Sequence, residues 1–248
     1  MSLDAGTMSL PGIAGRVAVV TGANQGIGLA IALELRRQGA AVAALDLTEG
    51  ETPPGESAEH WLPVACNVAD EASVDNAFRA VEEALGTVDI LVANAGILRS
   101  LSILDTTLEV WEQTMRVNAA GVFLAARRAL PGMLAQHYGR IVTIGSSAGK
   151  TGGSGQLSAY AASKAAAMSV AKSIATEYSA QGITSNAIAP AAIQTNMIVG
   201  LADFTERIPV RRLGTPQDVA GMVAFLCSSA AGYITGEVVD VNGGFIID

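Results

Sequence analysis

The chain has 248 residues, half of them hydrophobic, and 23 acidic against 15 basic side chains give a formal charge of −8. A large core is therefore available, and the acidic balance argues against nucleic acid or an anionic membrane surface as partner. No apolar run approaches the roughly 18 residues that a membrane span requires.

The first residues, Met1-Ser2-Leu3-Asp4, carry no basic n-region and no long apolar stretch, so no signal peptide is expected in them. Residues 1–14 are expected to be a flexible extension, with one domain over 15–248. The cysteines Cys66 and Cys227 and the histidines His60 and His137 have no ligand-like spacing. No metal site is expected, and the thiols read as buried, reduced groups of a cytoplasmic protein.

The first element is the apolar run Arg16–Val20, which ends in Thr21-Gly22-Ala23-Asn24-Gln25-Gly26-Ile27-Gly28. A helical pattern follows from Leu29 to Gln38, and a second strand, Ala41–Leu45, ends at Asp46. A loop over Thr48–Glu59 leads to a third strand, Leu62–Cys66, and to a helix from Asp70 to Leu85, with Asp70 as its cap and Gly86 as its stop. Asp89–Val92 is a fourth strand. One long helix is expected from Thr107 to Gln136, with a kink or end at Pro131-Gly132. Arg140–Ile144 is a fifth strand, an alanine-rich helix carries Tyr160, and Ile183–Ile188 is a sixth strand. Thr195–Leu213 lacks clean periodicity and is expected to be a mobile lid. Thr215-Pro216 opens a last helix, and Val238–Val241 is a seventh strand. Continuous apolar strands alternating with helices indicate an α/β protein: a doubly wound Rossmann-type, seven-stranded, mostly parallel sheet covered on both faces.

Two stretches carry chemistry. Gly22, Gly26 and Gly28 lie between a strand and a helix, where glycine permits a tight turn and close approach of a pyrophosphate to a helix N-terminus. Asp46, at the end of the next strand, is placed to accept from ribose hydroxyls. None of Ala23, Asn24, Gln25 and Leu47 is basic, so NAD is expected rather than NADP. In the alanine-rich helix, Tyr160 and Lys164 are four residues apart and share a face. An ammonium beside a phenol favours the phenolate, so Tyr160 is expected to have a lowered pKa and to move protons.

With these motifs in place, the stretch from about Gly15 to Gly244 resembles the short-chain dehydrogenases/reductases. The glycine turn, with Asn24, Gln25 and Ile27, resembles the family's coenzyme motif, and Asn94-Ala95-Gly96 its second motif. Tyr160 and Lys164 match its Tyr-x-x-x-Lys pair, and Asn118 its helix asparagine. Ser147, 13 residues before Tyr160 (160 − 147), matches the spacing of its serine and is preferred to Ser146.

The resemblance implies a catalytic set of Asn118, Ser147, Tyr160 and Lys164. It adds Asn67, Val68, Pro190, Ile193 and Thr195 to the NAD contacts, beside Tyr160 and Lys164. Asn67-Val68 stands where the family has Asp-Val, Pro190-Ala191 where it has Pro-Gly, and Asn242-Gly243-Gly244 where it has Asp-Gly-Gly. A substrate pocket is expected among Ser147, Gln156, Tyr160, Ala191 and Met197. The implied activity is hydride transfer between NAD(H) and a small or medium secondary alcohol or ketone. The alternative is a 3-oxoacyl-carrier-protein reductase, which uses NADPH and would need a basic docking patch such as Arg127-Arg128. A dinucleotide sensor without catalysis is the rival outside enzymes. The family also implies a homotetramer, with the apolar end Gly244–Ile247 at an interface.

Overall fold

The computed structural model describes residues 9–57, 59–153, 155–198 and 205–247. Seven strands form one sheet: β1 (Val17–Thr21), β2 (Ala41–Asp46), β3 (Trp61–Ala65), β4 (Ile90–Ala93), β5 (Gly139–Ile144), β6 (Ile183–Pro190) and β7 (Val238–Val241). Their order is β3-β2-β1-β4-β5-β6-β7, and every pairing is parallel.

Parallel pairing explains the composition of the strands. In β1, Ala18 and Val20 point into one core while Val17 and Val19 point into the other, so these four positions are all apolar. The first core is closed by α1 (Gly26–Arg37) and α7 (Pro216–Cys227), which pack on the same face. The second is closed by α2 (Glu71–Leu85) and α4 (Gly121–Ala135). Trp61 in the first core and Phe78 in the second are among the largest fully buried side chains. Thr215 begins α7 with a reciprocal capping box, in which its side chain accepts from the Asp218 N–H while the Asp218 carboxylate accepts from the Thr215 N–H. Asp70 sits at the N-cap of α2 but makes no side-chain cap bond, contrary to the sequence expectation.

Three further features differ from that expectation. The long helix is divided into α3 (Leu108–Met115), a π-helical turn at Arg116–Ala120, and α4. Helix α4 runs through Pro131 to Ala135 rather than ending there. Ahead of the Tyr160 helix, a short helix α5 (Ser147–Thr151) precedes α6 (Ser158–Tyr178).

The packed chain also starts before residue 15. Ile13 is fully buried in the first core, and Pro11 O accepts from both the backbone N–H and the hydroxyl of Ser229. Residues 1–8 of the expected extension lie outside the described residues, as do 199–204 of the expected lid. The described parts of that lid hold short 3₁₀ turns at Asn196–Ile198 and Thr205–Arg207.

Sheet order reverses direction between β1 and β4, where the chain crosses from one half of the sheet to the other. A crevice is expected at the strand C-termini of such a switch point. Gly22, Asp46, Asn94, Ser146 and Pro190 all stand at those ends.

Candidate active site

The turn after β1 is built for close approach. Gly22 has φ +67°, and a Cβ on it would come within 2.9 Å of Ala95 Cα. A Cβ on Gly28 would lie 2.0 Å from Gly22 O, so the start of α1 can sit this close to the turn only with glycine there. Asn94 braces the turn from β4: its Nδ2 donates to Thr21 O (2.9 Å) and Gly22 O (3.1 Å). The Thr21 hydroxyl accepts from the N–H groups of Asn94 and Ala95, each at 3.0 Å. Thr21 therefore joins β1 to the Asn94-Ala95-Gly96 segment, a role signalled only by its place as the last residue of the strand.

Asp46 Oδ2 accepts from the Asn24 N–H (2.9 Å) and Oδ1 from the Leu47 N–H (2.8 Å), which fixes the carboxylate beside the turn. Gln25 Oε1 accepts from Asn196 Nδ2, so the turn also touches the segment after β6. These residues fit a dinucleotide: a tight glycine cradle, free backbone at a helix start, and a fixed carboxylate at the neighbouring strand end. Asn67 is less committed to that task, because its Oδ1 already accepts from the Ala69 N–H at 3.0 Å. Val68 packs under Gly121.

Beside the turn lies a cavity of about 350 Å³. Tyr160 and Lys164 reach it from α6, Asn94 and Gly96 from the end of β4, and Pro190 to Ile193 from the end of β6. Lys164 is 4% exposed, and its Nζ donates to Ile144 O at 2.7 Å. Burial pulls its pKa down to about 8. Asn118, fully buried in the π turn, accepts from the Ile97 N–H (2.8 Å) and donates to Ile97 O and to Ser163 Oγ (both 2.9 Å). Ser163 in turn donates to Tyr160 O at 2.7 Å. The extra residue of the π turn marks the helix where this contact is made.

Three sequence expectations need correction here. The hydroxyl bonded to the Tyr160 phenol belongs to Ser146, not Ser147. Ser146 is still extended (φ −168°, ψ 150°) as N-cap of α5, whereas Ser147 is the first helical residue, so the two side chains leave the backbone in different directions. The Tyr160 pKa is raised, not lowered: burial of the phenol is the largest cause, and the Ser146 hydrogen bond only partly offsets it. Gln156 has φ +52°, is exposed and lies outside the cavity wall, where its neighbour Leu157 stands instead. Phe245 and Ile246 line this cavity together with Arg207.

The other expected contacts converge. Ala191, Ile193, Thr195 and Met197 line the cavity, and so does Ser147. Arg127 and Arg128, the proposed docking patch, are ion-paired along α2, Arg127 with Glu71 and Arg128 with Glu82.

A Rossmann sheet with a glycine cradle and a Tyr-Lys pair at its switch point defines a dinucleotide-dependent oxidoreductase of the short-chain type, and comparison with known proteins agrees. Residues 22–246 match the family described as enoyl-(acyl carrier protein) reductase. The chain is 41% identical over 239 residues to the 3-oxoacyl-[acyl-carrier-protein] reductase MabA of Mycobacterium tuberculosis, covering 94% of each chain. It is 39% identical to the 3-oxoacyl-[acyl-carrier-protein] reductase FabG of Aquifex aeolicus, covering 93% of this chain and 97% of that protein. Among solved structures, that of gox2181 superposes with a TM-score of 0.87 at 37% identity, covering 94% of this chain and 96% of that one. The chain belongs to the short-chain dehydrogenase/reductase family.

Proposed function

We propose that the chain interconverts a ketone and its secondary alcohol with NAD(H). The observation that carries this is the meeting of Tyr160, Lys164 and Ser146 in one cavity beside the glycine turn. A nicotinamide dinucleotide bound at that turn supplies or takes the hydride. Ser146 Oγ donates to the substrate oxygen. Tyr160 gives its proton to that oxygen during reduction and takes it back during oxidation. Lys164 would hold the nicotinamide ribose and, as an ammonium, would favour the phenolate. The Asn118 side chain acts as a positioning group, since its bonds tie the Ile97 backbone to α6.

For the substrate, the relatives' names favour a 3-oxoacyl thioester over the free alcohol expected from sequence. Its 3-carbonyl is a ketone of the required kind, and the largely apolar cavity suits an acyl chain. The NADPH expected of such reductases meets the Asp46 carboxylate and no basic residue in the glycine turn, which supports NAD. A homotetramer is part of the proposal, and sedimentation at micromolar concentration tests it.

The deciding experiment compares reduction of an acetoacetyl thioester by NADH and NADPH with oxidation of small secondary alcohols by NAD. Turnover of the thioester with NADH is the expected result. A higher kcat/KM for free alcohols would restore the reading from sequence, and no turnover of either above a Tyr160→Phe control would overturn the enzyme assignment.

A further inference from the structure

We propose that Asn242 is a positioning residue that sets the chain-length preference of the site: it holds Phe245 and Ile246 as the surface on which the apolar acyl tail of the substrate lies. This rests on the proposed reduction of a 3-oxoacyl thioester in the cavity. Strand β7 pairs with β6 so that Val241 stands opposite Pro190, which brings Asn242 to the sheet edge that borders the cavity. The chain reverses there, and Gly243 and Gly244 allow it with φ of +62° and +84°. The turn sits close on residues 208–210: the Val210 N–H donates to Gly243 O at 3.2 Å, and a Cβ on Gly243 would lie 2.6 Å from Val210 Cγ2.

Asn242 itself is buried, and it bonds each of residues 244–246. Its Oδ1 accepts from the Gly244 N–H at 2.8 Å, its main-chain oxygen accepts from the Phe245 N–H at 3.1 Å, and its Nδ2 donates to Ile246 O at 3.1 Å. An amide offers an acceptor and a donor at once, and this turn uses both. Phe245 and Ile246 line the cavity, whereas Ile247 is 88% exposed, so the wall ends where the bonding to Asn242 ends. Tyr160 and Ser146 account for the reacting carbonyl. Phe245 and Ile246 are apolar and lie on a part of the wall that no catalytic motif supplies, so they suit the hydrocarbon tail beyond that carbonyl. Each methylene buried against them should raise kcat/KM about fourfold. A carboxylate at position 242 would still accept from the Gly244 N–H, but it would set an oxygen against the Ile246 carbonyl and release this part of the wall.

The test measures kcat/KM with NADH for the N-acetylcysteamine thioesters of 3-oxobutanoate and 3-oxohexanoate, which differ only in the length of the tail. Full-length wild type, Asn242→Asp and Ile246→Ala are compared. Wild type should favour the longer substrate roughly tenfold, through KM. Both variants should bring that ratio below about threefold. A fall in Asn242→Asp with an unchanged ratio in Ile246→Ala also supports the assignment, with Phe245 as the contact. A merely structural role of Asn242 would lower both substrates in parallel and keep the wild-type ratio; that result overturns the assignment, as does a wild type with no preference for the longer tail. If Asn242→Asp shows no cooperative thermal melt, Asn242→Ser, whose hydroxyl can still accept from the Gly244 N–H, is judged by the same ratio. If wild type reduces neither thioester, the proposed function fails. Asn242 is then judged by calorimetric binding of the two thioesters to the NAD-saturated protein: a preference for the longer tail that Asn242→Asp loses supports the assignment, and a preference that the variant keeps, or that wild type lacks, overturns it.

Discussion

Removing the charge of Asp46 should relax the choice of dinucleotide. The carboxylate is held by two backbone N–H groups, those of Asn24 at 2.9 Å and Leu47 at 2.8 Å, so it cannot swing away from the glycine turn without leaving both unpaired. A 2′-phosphate within about 4 Å of it meets a repulsion of roughly 4 kcal/mol per pair of unit charges at an effective dielectric of about 20. Screening by solvent and salt at this partly open strand end lowers that figure, and half of it still gives about 2 kcal/mol, or roughly thirtyfold. Loss of the ribose hydrogen bonds takes the preference for NAD to about a hundredfold in kcat/KM. Asp46→Asn keeps an oxygen for one N–H and removes the charge, so it should bring the preference below about tenfold, chiefly by improving NADP. Asp46→Ser with Leu47→Arg should invert it. Leu47 is 71% exposed, so an arginine enters there without repacking and can meet the phosphate. Steady-state kinetics with both dinucleotides is the assay. A wild type that uses NAD and NADP equally, or an Asp46→Asn variant with an unchanged ratio, would refute the electrostatic reasoning.

Tyr160→Phe should cost about 10²–10⁴-fold in kcat while dinucleotide affinity, read by fluorescence titration, stays near wild type. Ser146→Ala should lower kcat more than Ser147→Ala, because Ser146 bonds the phenol; the reverse order in the same assay would reinstate Ser147. Gly28→Ala should abolish binding of NAD, since its Cβ would lie 2.0 Å from Gly22 O, and a thermal melt that still rises with NAD would contradict this. The Lys164 pKa is lowered from 10.5 to about 8, so the unfolded chain holds the extra proton between those values. Stability contributed through this group therefore rises as pH climbs from about 8 to 10.5, by at most about 3 kcal/mol. Urea denaturation of wild type minus Lys164→Met across that range isolates it from the thiols and phenols, and a flat difference would show that the ammonium is not desolvated.

Local patterns in the sequence were sufficient for the alternating strands and helices, the glycine turn and the Tyr160–Lys164 face, because each depends on residues within a few positions of one another. Asp46 at the end of β2 and Asn94 after β4 follow from the same rule, since parallel strands bring their C-termini to one edge. Tertiary structure decided what local pattern leaves open. Which of two adjacent serines meets the phenol depends on the backbone direction as the chain enters α5, and counting residues cannot supply that. The sign of the Tyr160 shift depends on desolvation, and burial of the phenol outweighs the hydrogen bond from Ser146. Ile13 belongs to the core because it meets a surface made by α1 and α7, far along the chain. Arg207 and Phe245 join in one wall only because the end of the chain folds back over the segment after β6, a contact between distant residues that no periodicity encodes.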